Sequence, residues 1–509
     1  MTAFFLANMA PIMFAALVVV LLLGYPVAFS LSFTGLFFGF IGIKLGLFDP
    51  TFFQALPERV FGVVSNDTLL AIPFFTFMGL ILERSGMAEE LLDTIGQLFG
   101  PIRGGLAYAV IFVGALLAAT TGVVAASVIA MGLISLPIML RNGYDRRLAS
   151  GVIAASGTLA QIIPPSLVLI VLADQLNASV GDMYKGAVVP GLVLSGLYVL
   201  YVLAMTILYP DSAPALPREF RRLGGLQLLT RVVVTLIPPL VLIFLVLGTI
   251  FIGLATPTEG GAMGAVGALA LAAIKQRLTL DIVRQALDST VKLSSFVLFI
   301  LIGSRVFSLT FFGVNGHLWV ENLLTGLPGG TVGFLIVVNL LVFVLAFFLD
   351  FFELAFIIVP LVGPAASHLG IDLVWFGVLL GINMQTAFMH PPFGFSLFYL
   401  RSVAAREPYL DRVTGIMTAP ITTGQIYWGA VPFVVIQVLM IGLTITFPIM
   451  VTHYQTKDLI SPADVKINIA PPPAETGGPN FGGPTGPSFG APGTPAAPPP
   501  GPNFGAPAQ

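Results

Sequence analysis

The sequence predicts an all-α polytopic membrane protein of inverted-topology repeats, with two re-entrant hairpins and two broken helices. Three observations carry that prediction. Apolar runs of about 20 residues recur from Ala10 to Met450, each long enough to cross a bilayer. A spaced series, Pro137, Gly143, Asp145 and Pro164-Pro165, returns without a gap as Pro364, Gly370, Asp372 and Pro391-Pro392, with Gly86 and Gly313 in the same register. The first copy's connection carries Arg141, Arg146 and Arg147, whereas no Lys or Arg lies between Pro360 and Leu400. Basic residues gather on the cytoplasmic side, so the two copies lie upside down relative to each other, a common plan for a secondary transporter.

Composition agrees. The chain is 57% hydrophobic and 9% charged, against about a quarter charged in a soluble domain. A formal net charge of −2, with no continuous basic patch, argues against a nucleic-acid partner. The absence of cysteine excludes disulfides, thiolate metal sites and cysteine catalysis. His317, His368, His390 and His453 are far apart and hold no metal-ligand spacing. They also supply no nucleophile-and-base constellation for an intramembrane hydrolase. With no basic n-region or cleavage site, the apolar segment 11–23 reads as part of a retained span.

Placing Arg141–Arg147 in the cytoplasm orders the rest. Residues 1–230 form the first inverted repeat and 231–460 the second, with about ten spans and both termini periplasmic. Two segments, 105–140 and 331–366, begin and end on the same side, and each is too short for two full crossings. They read as re-entrant hairpins that turn at Thr120-Thr121-Gly122 and at Asp350–Glu353. Segments 83–104 and 275–292 mix charges with leucines at helical spacing and read as interfacial amphipathic helices. Asp67, beside Asn66 at the start of a span, reads as a helix cap. The Pro/Gly-rich stretch 461–509 cannot bury a core and is expected to be disordered.

Chemistry concentrates at the double prolines, each of which breaks a span and frees backbone groups. Ser156, Gly157, Thr158, Gln161 and Ser166 surround Pro164-Pro165, while Asn383, Gln385, Thr386, His390 and Gly394 surround Pro391-Pro392. Freed carbonyls suit Na⁺ and freed N–H groups suit an anion. The rival reading makes the breaks packing kinks, and two matched breaks beside polar hairpins favour the functional one. Sodium ligands are therefore sought among Thr120, Thr121, Ser127, Ser156, Gly157, Thr158, Asp350, Asn383, Gln385 and Thr386. Substrate contacts are sought among Arg305, Pro164, Pro165, Ser166, Glu353, Pro391, Pro392 and Gly394. Arg305 is the one Lys or Arg placed inside a span; it is either an anion's counter-charge or a structural partner of Asp350 or Glu353. Glu259 opens a small-residue run, Gly260–Gly264, that reads as close helix packing rather than a phosphate loop.

Several of these stretches also carry a family resemblance. Ser65-Asn66-Asp67-Thr68-Leu69-Leu70-Ala71-Ile72-Pro73-Phe74-Phe75, Ile162-Ile163-Pro164-Pro165-Ser166 and Ala255-Thr256-Pro257-Thr258-Glu259 resemble the large membrane subunit of tripartite ATP-independent periplasmic (TRAP) transporters. The resemblance covers roughly residues 10–450. It implies an elevator-type, Na⁺-driven importer of organic acids in the bacterial inner membrane, with no cofactor beyond the coupling ion. It also implies a small membrane subunit and a periplasmic substrate-binding protein as partners. Leu349-Asp350-Phe351-Phe352-Glu353 and Pro391-Pro392-Phe393-Gly394-Phe395 are similar to the branch labelled mannitol or chloroaromatic, a label that leaves the substrate open. The first hairpin tip departs from the family's Ser-Gly-Ser type: Thr120-Thr121-Gly122-Val123-Val124 lacks the final serine, so an ion ligand there comes from carbonyls or Ser127. A stand-alone carboxylate carrier is the alternative.

Overall fold

The computed structural model describes residues 5, 8–217, 221, 224–411, 415 and 417–455, excepting the side chains of residues 120 and 121. The tail expected at 461–509 lies outside them. The described chain is mainly α-helical, with one short antiparallel strand pair, Tyr409–Leu410 with Met417–Thr418. It begins with α1 (Met9–Leu22), α2 (Val27–Lys44), α3 (Leu56–Val64), α4 (Ala71–Arg84) and α5 (Met87–Phe99). A hairpin follows, α6 (Gly105–Thr121) and α7 (Val124–Arg141), then a broken helix, α8 (Arg146–Thr158) and α9 (Leu167–Gln175), and the long α10 (Val180–Leu208). The second half runs α11 (Gly225–Phe251), α12 (Pro257–Ile274), α13 (Leu280–Gly313) and α14 (Gly316–Thr325). Its hairpin is α15 (Gly330–Leu345) with α16 (Phe351–Ile357) and α17 (Val359–His368), and its broken helix is α18 (Leu373–Met384) and α19 (Phe395–Val403). Helix α20 (Thr423–Thr446) ends this series.

The duplicated Gly-x-Asp now has a physical meaning. Gly143 and Gly370 adopt φ of +78° and +69°, ending each hairpin in the left-handed conformation that glycine tolerates. Two residues on, an aspartate caps the next helix. The Asp145 carboxylate accepts from the Arg147 and Leu148 N–H groups at 2.9 and 3.0 Å, and that of Asp372 from the Trp375 N–H at 2.7 Å. One sequence motif therefore makes one connection, twice.

Packing follows the same pattern. Helix α7 leans on α8 and on the distal half-helix of the other repeat, α19, while α16 and α17 lean on α9. Every residue from Leu148 to Thr158 in α8, and from Phe376 to Met384 in α18, is buried. A helix buried all round belongs at the centre of a bundle. Around it, α10 and α20 expose leucine and valine to the bilayer. A second set of helices packs mutually: α2 and α4 on α13, and α12 on α4 and α11. Gly261 abuts Phe74 and Phe75 of α4, which confirms close packing for that small-residue run. Glu259 forms a capping box with Thr256 at the start of α12.

Three expectations need correction. Segment 275–292 is no separate interfacial helix, because residues 280–292 continue unbroken into the 34-residue α13. The counterpart of α5 in the repeat register is α14. Moreover α5 buries Leu91, Leu92 and Ile95 in protein, packing on α6, α7 and α11 rather than on lipid alone. Asp67 caps nothing with its side chain. Helix α4 starts at Ala71 with no side-chain cap; Asn66 accepts from the Thr68 N–H at 3.0 Å in the turn before it, and the Asp67 carbonyl accepts from Thr258. Finally, seven helices among the described residues are long and apolar enough to span, or nine if each of two bent pairs counts once. The shortfall from ten arises because α1 and α4 have 14 residues each and the broken helices cross as short halves.

Candidate functional site

The first break follows from its proline pair. Helix α8 tightens into a 3₁₀ turn at Leu159–Gln161, the chain runs non-helically to Ser166, and α9 begins. Ser166 Oγ donates to the Gln161 carbonyl at 2.5 Å and accepts from the Leu169 N–H at 3.4 Å, so one hydroxyl ties both sides of the break. Pro164, Pro165 and Ser166 are buried. The hairpin tip seats directly upon them. Gly122 sits at φ +58°, and a Cβ there would lie 3.3 Å from Leu167 Cγ and 3.5 Å from the Pro165 carbonyl oxygen. Gly157 is tighter still, since a Cβ there would clash with the Val128 side chain of α7 and lie 3.2 Å from its nitrogen. The side chains of Thr120 and Thr121 lie outside the described residues, and Ser127 Oγ donates to the Val123 carbonyl.

The second break has the same skeleton and different walls. Helix α18 tightens at Gln385–Phe388, and the chain turns through His390 to Gly394, whose N–H donates to the His390 carbonyl at 2.6 Å. Tyr427 donates to the Pro392 carbonyl at 3.1 Å. The rings of Phe343 and Phe347 enclose the His390 imidazole, with centroids 4.3 and 4.1 Å away. Pro392 and Phe393 are exposed. Above them the hairpin tip forms a capping box. The Asp350 N–H donates to Glu353 Oε2 at 2.9 Å, and the Glu353 N–H donates to Asp350 Oδ1 at 2.8 Å. Glu353 also lines a cavity of ≈ 350 Å³ with Tyr25, Phe29, Phe296 and Phe348.

The two breaks meet at the centre. Thr158 and Gln385 are register equivalents, and Gln385 Nε2 donates to the Thr158 carbonyl at 2.8 Å. A hydrogen bond between equivalent positions is what a local two-fold axis produces. Ser156 and Asn383 are equivalents too, both fully buried. Asn383 Nδ2 donates to the Asn339 carbonyl at 2.7 Å, and Thr386 Oγ1 donates to the Asn383 carbonyl at 2.7 Å. Buried side-chain oxygens of Ser156, Gln161, Asn383, Gln385 and Gln437 have no hydrogen-bond partner among the described residues. Buried acceptors left unpaired are costly, and side-chain oxygens of this kind are the ligands a hard cation takes. Sequence reasoning missed Asn339 and Gln437, the latter donating to Tyr198 at 3.0 Å and Thr158 Oγ1 at 3.4 Å. The signal was there: an amide inside an apolar span is expensive without a partner.

Arg305 is not part of this centre. Among the described residues it forms no ion pair with Asp350 or Glu353. It lines a separate cavity of ≈ 510 Å³ whose lining excludes both carboxylates. The sequence placed Arg305 correctly inside a long helix, but only packing decided which cavity it joins.

Comparison with known proteins agrees with this architecture. The Alcanivorax borkumensis YdaH transporter, described as having an unusual topology, superposes with a TM-score of 0.54 over 78% of this chain and 88% of that one, at 15% identity, so the likeness is one of fold. The C4-dicarboxylate TRAP transporter large permease protein DctM of Rhodobacter capsulatus is 31% identical over 414 residues, covering 76% of this chain and 89% of the relative. The sialic acid TRAP transporter large permease protein SiaM of Vibrio cholerae is 29% identical, covering 75% and 86%. Residues 14–450 match the family model described as "Tripartite ATP-independent periplasmic transporter, DctM component". The chain is a large membrane permease subunit of the TRAP transporter family, a transport protein and not an enzyme.

Proposed function

We propose that this subunit translocates small organic anions into the cell, coupled to Na⁺, by sliding the broken-helix bundle against the α2–α4 and α11–α13 set. The observation that carries the reading is that each break holds buried, unpartnered side-chain oxygens, Ser156 and Gln161 at the first and Asn383 and Gln385 at the second. Side-chain and backbone oxygens are the ligands Na⁺ uses, and each break would offer them beside its own hairpin. The relatives whose names specify C4-dicarboxylate and sialic acid support an acid substrate. The family supports a bacterial inner-membrane location, a small membrane subunit and a periplasmic binding protein. The N-termini of α9 and α19, freed by the prolines, would face the substrate's carboxylate.

Reconstitution with the small subunit and the binding protein tests this. Uptake should follow an inward Na⁺ gradient without ATP, and Ser156→Ala or Asn383→Ala should raise the Na⁺ concentration giving half-maximal uptake. Equal uptake in Na⁺-free, proton-clamped vesicles would sink the coupling. Full uptake by this chain alone would sink the need for a binding protein.

A further inference from the structure

The ≈ 510 Å³ cavity around Arg305 is bordered by two helix sets that the transport cycle would move against each other. Arg305 and Ser308 come from α13, which packs on α2, α3 and α4, and Arg59 comes from α3. The opposite wall is α17 of the second hairpin, with Pro364 and Ser367, and the turn after α9. Arg305 lies about two turns before the end of α13 and Ser367 one residue before the end of α17, on the side opposite Arg141–Arg147. By the positive-inside asymmetry that side is periplasmic.

The charges in this cavity do not cancel. Its one carboxylate, Asp174, is held by neutral amides: Asn66 Nδ2 donates to Oδ1 at 2.6 Å and Gln175 Nε2 to Oδ2 at 2.7 Å. Neither Arg59 nor Arg305 has an ion-pair partner within 4.0 Å among the described residues. Arg305 is half-buried, so its guanidinium keeps a desolvation cost that no protein anion offsets. A planar guanidinium fork suits a carboxylate, and the serine hydroxyls offer further donors. The volume lies within the usual range for a small-molecule site.

We propose that this cavity is a second anion site, separate from the breaks, in which Arg59 and Arg305 together capture the carboxylate of a small organic acid at the periplasmic mouth. The proposal rests on the importer reading for its direction. Capture there would hold the anion between the fixed and moving sets before it reaches the freed helix N-termini. Arg305 then keeps the counter-charge role read from sequence, at a different station along the path.

Arginine modification tests it without relying on transport. The complex with its small subunit, in nanodiscs and choline buffer without Na⁺, is treated with phenylglyoxal, and modification of Arg59 and Arg305 is followed by peptide mass spectrometry. Lactate, succinate and benzoate serve as probes against lactamide, succinamide and benzamide at equal ionic strength. At least one carboxylate should slow modification of both arginines severalfold, its amide should not, and Arg305→Gln should abolish protection at Arg59. Arg305→Lys, which keeps the charge and guards against a folding defect, should give weaker protection. The site is overturned if no carboxylate protects, if the amides protect equally, or if only the binding protein protects, which would make Arg59 and Arg305 a docking surface. Protection combined with Na⁺-independent uptake would sink the coupling reading alone.

Discussion

The two proline breaks share one skeleton and differ in nearly everything around it. At the first, Pro164, Pro165 and Ser166 are buried under the glycine tip of their hairpin, among Ile162, Leu167 and Leu169. At the second, Pro392 and Phe393 are exposed, and aromatic rings from Phe343, Phe347, Phe348 and Phe351 crowd the approach. Phe393 is 52% and Phe348 60% exposed, whereas Ile162 is fully buried. Duplication therefore preserved the backbone solution and left the surroundings free to diverge. One break is sealed, the other is open.

The largest test of that contrast is truncation on each side. Ile162→Ala should cost about 2–4 kcal/mol, because the cavity it leaves in a closed centre cannot be refilled, seen as a large fall in melting temperature in detergent. Phe393→Ala should leave the melt within about 0.5 kcal/mol of wild type, as for an exposed position, while reducing uptake. Equal destabilisation by both would erase the distinction between sealed and open.

A smaller effect is expected at the first hairpin tip. Gly122→Val forces a β-branched residue to φ +58° against Leu167 and the Pro165 carbonyl, a strain of about 1–3 kcal/mol. Uptake should be lost even where folded protein survives, since the tip no longer seats on the break. The second tip already carries Leu349 at the equivalent place, so Leu349→Ala should keep its seating. Wild-type uptake by Gly122→Val would show that the first tip does not need this contact.

The smallest effects concern the caps. Asp350→Ala removes a capping-box acceptor and should cost about 1 kcal/mol, with Asp350→Asn recovering most of it. Ser166→Ala, whose capping bond is long at 3.4 Å, should cost less through that bond, although its shorter bond to Gln161 is lost as well. Thermal melting of the three variants side by side orders these contributions. A larger loss for Ser166→Ala would place the strength of the first break in the Gln161 bond.

Much of this was readable from the residues. Gly143-x-Asp145 and Gly370-x-Asp372 announce a left-handed turn and a cap because glycine and aspartate are the residues those conformations need. The hairpins were legible from length against charge, and the breaks from proline pairs repeated in register between the two copies, whereas the unrepeated pair Pro238-Pro239 sits inside α11 without breaking it. Ser156, Thr158, Asn383, Gln385 and Thr386 were legible as polar residues in apolar crossings. Asn339 and Gln437 carried the same signal without a proline beside them, and so went unread. The reading of 275–292 failed because an amphipathic segment and the polar end of a long spanning helix look alike in one dimension.

By itself, then, the chain determined its elements, its duplication and the chemical types at each break, because propensity, proline sterics and charge asymmetry act over a few residues. Tertiary packing alone decided which of these meet. It joined Thr158 to Gln385 across the repeat axis, divided Arg305 from Asp350 and Glu353 into another cavity, and brought Arg59 and Arg305 to one space with Asp174 held by amides. Those pairings depend on distances between residues far apart in sequence, and no local preference encodes such a distance.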